Sequence, residues 1–195
     1  MSQPNTNKGK PEGKPANKRW KEILYTEDRI KQFLQGEMTL AELDGLSGPE
    51  MMEMAITGFS MYEQGRYREA KVIFEGLSAL DPTESYYRTA IGAVYLAQEQ
   101  LDEALEQFDK ALKLNDKDTA ALVNRGEVRL RKGLLVDAAE DFKRAVDLDP
   151  ENKDPLSLRA RALAAAALET LEKRGLAENV LPKANKSAAN KPARK

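Results

Sequence analysis

The chain has 195 residues, 41% hydrophobic and 32% charged, enough apolar content for a compact helical domain carrying polar tails. It contains neither cysteine nor histidine, which excludes disulfides and thiolate chemistry and removes the usual general base near neutral pH and the commonest metal ligand. The formal net charge of −1 is unevenly spread: residues 1–19 and 176–195 each set five basic side chains against one acidic one, which leaves residues 20–175 at −9.

The expectation is therefore a binding protein and not an enzyme, with no cofactor and no metal. No apolar run approaches the roughly 20 residues of a transmembrane helix, and residues 1–19 lack the apolar stretch of a secretory signal. A cytoplasmic location is the resulting expectation. Residues 1–19 and 176–195 are rich in Lys, Asn, Pro, Ser, Gly and Ala and read as disordered, solubilising tails. With no aromatic residues interleaved for base stacking, they point to no specific nucleic acid. A tail-driven binder of nucleic acid or membrane surface would instead weaken steeply with salt.

Residues 20–50 begin with an apolar cluster, Trp20, Ile23, Leu24 and Tyr25, before an amphipathic helix near 27–35 carrying Ile30, Phe33 and Leu34, and a second helix near 40–45. Thr39 with Glu42 and Ser47 with Glu50 have capping-box spacing, the latter opening the next helix. This segment suits either an N-terminal cap on the helices beyond residue 50 or, through residues 20–46, a homodimer interface, and both readings stay open.

From Met51 the sequence repeats with a period of 34, over 51–84, 85–118 and 119–152. The recurring columns are Gly58, Gly92, Gly126; Tyr67, Leu101, Leu135; Ala70, Ala104, Ala138; Phe74, Phe108, Phe142; and Leu80, Leu114, Leu148. Small Gly and Ala columns let paired helices approach closely, while the Phe and Tyr/Leu columns fill the space between them. The period and residue types resemble the tetratricopeptide repeat (TPR), a helix–turn–helix unit. The resemblance implies an all-α solenoid of three repeats with an N-terminal helical segment and a C-terminal capping helix. First helices are predicted near 51–64, 85–98 and 119–132, and second helices near 67–80, 101–114 and 135–148. Gly65 and Gly133 suit the left-handed turn between them, a position that the middle repeat fills with Glu99. Residues 153–175 are predicted to form the capping helix, started by Asp154 and Pro155, with Leu156, Ala160, Leu163, Ala167 and Leu171 as its apolar stripe.

The TPR resemblance also implies a concave binding face lined by the first helices. It assigns Met52, Ala55, Phe59 and Tyr62 from the first repeat, Tyr86, Thr89, Ala93 and Leu96 from the second, and Ala120, Val123, Glu127 and Leu130 from the third. TPR proteins that grip the C-terminal carboxylate of heat-shock chaperones present Lys, Arg and Asn from this face, so that clamp is not expected here. An apolar and aromatic face favours an extended client segment with Leu, Val or Pro side chains. It would equally accept this protein's own N-terminal segment. Glu69, Asp102, Glu103 and Asp137 stand at the starts of second helices, where acidic groups favour the helix dipole, and carry no catalytic reading.

The stretch GEMTLAELDGLSGPEMMEMAITGFSMYEQGRYREAKVIFEGLSALDP, with F-x-x-Y-x-x-G-x-Y-x-x-A-x-x-x-F from Phe59 to Phe74, and the later IGAVYLAQEQLDEAL are similar to class II chaperones of bacterial type III secretion systems. That resemblance implies a chaperone for a hydrophobic translocator, with Phe59, Tyr62, Tyr86 and Leu96 contacting a Pro- and Leu-containing client segment and residues 20–46 contributing to a homodimer. The alternative is a general TPR scaffold joining subunits of a soluble or membrane-associated complex.

Overall fold

Three phenylalanines, Phe74, Phe108 and Phe142, are the largest fully buried side chains, and each ring presses on the glycine of its partner helix. A Cβ on Gly92 would sit 2.6 Å from the Phe108 ring, and one on Gly126 would sit 2.5 Å from the Phe142 ring. Only a residue without a side chain permits that approach, and each buried ring contributes about 1.5–3 kcal/mol. The repeating Gly and Phe columns are thus the device that closes each helix pair.

The computed structural model describes residues 24–151 and 153–175. The predicted tails, and Trp20 and Ile23 of the predicted apolar cluster, lie outside the described residues. Among those residues there are helices and no strands, in the order α1 (Glu27–Leu34), α2 (Leu40–Leu43), α3 (Gly48–Glu63), α4 (Tyr67–Leu80), α5 (Ser85–Ala97), α6 (Leu101–Leu114), α7 (Thr119–Arg131), α8 (Leu135–Asp147) and α9 (Pro155–Lys173). No helix among them is long and apolar enough to cross a membrane. They divide into two compact units with the boundary between Met51 and Met52.

In the first unit, Thr26 caps α1 by accepting from the Arg29 amide, and Thr39 and Glu42 form a reciprocal capping box on α2. The Arg29 guanidinium donates to the Glu42 carbonyl, which fastens the end of α2 to α1. Tyr25 donates to the Asp44 carboxylate. Ala41 and Leu43 are buried, whereas Ile30 and Leu34 on α1 are exposed. Ser47 accepts from the Glu50 amide while the Glu50 carboxylate accepts from the Ser47 amide at 2.9 Å, so α3 starts at Gly48, three residues before the repeat register begins.

The second unit is an all-α TPR solenoid. α4 packs on α5, α5 on α6, α6 on α7, α7 on α8, and α9 on both α7 and α8. The tight turns inside the pairs carry positive φ at Gly65 (73°), Glu99 (60°) and Gly133 (77°), so the middle repeat holds a glutamate where its neighbours have glycine. α9 begins with Asp154 accepting from the Leu156 amide at 2.9 Å and Pro155 in the first turn, and buries Ala160, Ala167 and Leu171. Ala160 joins Leu96, Phe108, Leu122, Val128 and Phe142 in one apolar cluster that runs through the second and third repeats.

Candidate peptide-binding face

The first helices carry the candidate residues at intervals of three or four, so each set lies along one helical face. The structure sorts them by depth. Met52 (60% exposed), Phe59 (47%) and Tyr86 (43%) stand out from the surface, Tyr62, Ala93 and Leu130 are half-buried, and Ala55, Thr89, Leu96 and Val123 are buried. The buried four can shape the floor beneath a ligand but have little surface of their own to offer one. Thr89 has a structural use: its hydroxyl donates to the Asp118 carboxylate at 2.8 Å, and Asp118 also caps α7 by accepting from the Ala121 amide at 2.9 Å. The hydroxyl therefore ties the second repeat to the start of the third.

Sequence reasoning missed Ile56, which is 62% exposed. The signal was present, because Ile56 lies four residues after Met52 and three before Phe59 and so shares their stripe. Leu158 on α9, three repeat periods later, is likewise exposed. The aromatic groups are held firmly. Phe59 stacks near Tyr62 at 6.3 Å between centroids, Tyr62 meets Tyr67 at 5.7 Å, and Tyr86 stands edge-on to buried Phe74 at 6.1 Å. Such contacts fix ring orientation before a ligand arrives, which lowers the ordering cost of binding.

The face changes character toward its C-terminal end. Glu127 is nearly covered and is held from two sides, by Arg131 at 2.8 Å and by Arg159 of α9. Arg131 also reaches Glu99 at 2.9 Å. Burial pushes the Tyr62 hydroxyl above the ordinary tyrosine range, the Tyr67 ring and the Glu127 carboxylate push it further, and Arg159 opposes them. The result is an aliphatic and aromatic surface at the α3 and α5 end and a charge-balanced, hydrogen-bonded one at the α7 and α9 end. Arg131 spends its fork on carboxylates of its own chain, and no clamp for a ligand carboxylate is assembled from it.

The family described as Tetratricopeptide repeat matches residues 89–153. The low calcium response locus protein H of Yersinia pseudotuberculosis is 28% identical over 137 residues, which cover 69% of this chain and 81% of that protein. Among solved structures, the Yersinia enterocolitica type III secretion translocator chaperone SycD is 26% identical with a TM-score of 0.60, over 66% of this chain and 98% of SycD. SycD in complex with a peptide of the translocator YopD is similar as well, at 25% identity and a TM-score of 0.56, over 65% of this chain and 97% of that one. Over residues 89–153 the chain matches the tetratricopeptide repeat, and more widely it resembles the translocator chaperones of type III secretion.

Proposed function

We propose that this protein is a chaperone that holds a hydrophobic, translocator-type client before its export, gripping an extended Pro- and Leu-containing segment on the concave face of its repeats. The observation that carries the reading is the exposed stripe of Met52, Ile56 and Phe59 on α3, continued by Tyr86 on α5. Soluble domains seldom leave large apolar groups contiguous without a partner for them. Covering each one is worth up to about 1.5–3 kcal/mol, which suits a segment that must be kept from aggregating and later released. The likeness to a translocator chaperone solved with a translocator peptide supports the same reading. A cytoplasmic location, a non-catalytic role and a homodimer formed through residues 20–46, with Ile30 and Leu34 exposed on α1, belong to it.

The test is an affinity capture from the native cell with the wild type beside the Phe59→Ala/Tyr62→Ala variant, read by mass spectrometry, with circular dichroism confirming that the variant is folded. A hydrophobic, exported protein should be captured by the wild type and lost at least tenfold from the variant. Co-expression should keep that protein soluble. If the captured proteins are soluble complex subunits, or are retained by the variant, the chaperone reading fails and a scaffold takes its place.

A further inference from the structure

We infer that Asn124 on α7 reads the main chain of a bound client: its carboxamide accepts from the backbone N–H of one residue of the extended segment and donates to the C=O of that same residue. The inference rests on the peptide-binding reading of the face and adds what that face recognises besides apolar side chains.

The need comes from the client. Every residue of an extended segment except proline brings an N–H and a C=O, and covering them without partners costs free energy. Peptides that add to a sheet find such partners along its edge. Among the described residues there is no strand, and a helix uses its own backbone groups internally. Side chains must therefore supply the partners. Most polar side chains of the face are already engaged: Thr89 with Asp118 at 2.8 Å, Glu127 with Arg131 and Arg159, and Arg131 with Glu99 at 2.9 Å.

Asn124 is the exception. By the 34-residue register it is the counterpart of Ile56, Ala90 and Leu158, of which Ile56 is 62% and Leu158 51% exposed. It follows Ala120 by four residues and precedes Glu127 by three, the spacing that sets Met52, Ile56 and Phe59 on one stripe. Asn124 is half-buried, yet it makes no hydrogen bond among the described residues, and neither polar atom of its side chain is buried. Two donors and an acceptor with two lone pairs are thus left for a ligand. The helix has no need of them, since asparagine is a poorer residue in a helix interior than the alanine that the second repeat carries there.

The surroundings suit a peptide group and not a chain terminus. Arg131 and Arg159 are committed to carboxylates of their own chain, so no free cation stands ready to share a client carboxylate with Asn124. A neutral amide matches a neutral peptide unit, and pairing in both directions requires a residue that has an N–H. The client residue at Asn124 is therefore not proline, and the pairing sets which of its Leu and Pro side chains reach Phe59 and Ile56.

The probes that test this are short acetylated and amidated peptides with Leu, Val and Pro at alternate positions and Ser between them. The tightest is N-methylated at one residue at a time and titrated by fluorescence anisotropy against the full-length wild type, Asn124→Ala and Phe59→Ala. Asn124→Ala should bind the unmodified peptide at least fivefold more weakly, with unchanged circular dichroism. N-methylation at one position should weaken the wild type by a similar factor, leave Asn124→Ala within twofold, and still weaken Phe59→Ala. Unchanged affinity in Asn124→Ala, or N-methyl effects equal in wild type and Asn124→Ala, overturns the inference. An effect of Asn124→Ala confined to peptides with a free C-terminal carboxylate overturns it too and makes the residue part of a carboxylate site. Binding that depends on Phe59 and not on Asn124 sinks this inference alone. If no peptide binds the wild type, the peptide-binding reading of the face fails and takes the inference with it. If the N-methyl signature appears while capture from the native cell returns only soluble complex subunits, the chaperone reading fails alone.

Discussion

The first and third repeats share a register and a fold but handle the same positions differently. In the third repeat, Asp141 on α8 is 1% exposed and accepts from Arg125 at 2.6 and 2.9 Å and from Arg129 at 2.6 Å, while Arg125 also donates to Asp109 of the second repeat at 2.6 Å. The equivalent residues of the first repeat are Thr57, Met61 and Ile73. Met61 and Ile73, with Val72, Arg68 and Glu69, border an open, almost wholly apolar depression. The glycine contacts differ in the same sense: a Cβ at Gly58 would stand 3.0 Å from its nearest neighbours, against 2.5 Å at Gly126. One end of the solenoid is locked by ion pairs and tight packing, and the other keeps apolar groups in reserve. Rigidity and exposed apolar surface are thus allotted to different repeats, within an array in which neighbouring repeats stabilise one another.

The largest effect should come from breaking the lock. Asp141→Ala leaves two part-buried arginines without their shared carboxylate, and removing one partner of a buried pair costs about 3–5 kcal/mol. Because both arginines keep some access to water, we expect the lower end of that range in urea unfolding. A loss below about 1 kcal/mol would mean that the network contributes specificity and not stability. The double change Arg125→Ile/Asp141→Gln installs the residues that the second repeat carries as Ile91 and Gln107, and should restore most of the loss.

Next comes the closeness of the helix pairs. Gly126→Ala forces the Phe142 ring to move and should cost about 1–3 kcal/mol, as overpacking generally does. Gly58→Ala meets the looser surroundings of Phe74 and Ile73 and should cost less than half as much. Equal losses would erase the distinction between the repeats.

Much of this architecture is legible in the sequence. The Gly, Ala and Phe columns define the helix pairs because close approach and ring burial tolerate few other residues at those positions. Even the strained turn at Glu99 is visible, since its neighbours in register are glycines and its φ is indeed positive. What the sequence conceals is depth. Ala55, Thr89, Leu96 and Val123 share a face with Phe59 and Tyr86, yet they are buried, because helical periodicity gives direction and not how closely the next repeat approaches. The Asp141 network is hidden for a related reason. Its arginines lie 12 and 16 residues away along the chain, and an aspartate on a charged helix reads as solvated until the neighbouring helix is in place.

A smaller effect tests the turn of the middle repeat. Glu99 occupies left-handed backbone at a cost of about 1–2 kcal/mol, and its ion pair with Arg131 is exposed enough to return only a fraction of that. Glu99→Gly should therefore raise the melting temperature by about 2–4 °C. A neutral or lower value would show that the pair outweighs the strain.

The smallest expected effect concerns acid. Asp81, Asn115 and Asp149 are equivalent in register. The first two accept from amides two residues on, those of Thr83 and Lys117, whereas Asp149 spans the connection to α9, accepting from the Asp154 amide at 2.9 Å and the Lys153 amide at 3.1 Å. Those two amides, the Asp154 one foremost, hold its carboxyl below the usual aspartate value. A carboxyl depressed in the folded state stabilises the protein above the unfolded value of about 3.9, and that contribution is lost as pH falls through the folded value. Asp149→Asn keeps an acceptor but cannot titrate, so the difference in melting temperature between wild type and variant should shrink as pH is lowered from about 6 to about 3. A difference that stays constant over that range would place the contribution of Asp149 in its shape and not its charge, and would make the α9 junction no different in kind from the two before it.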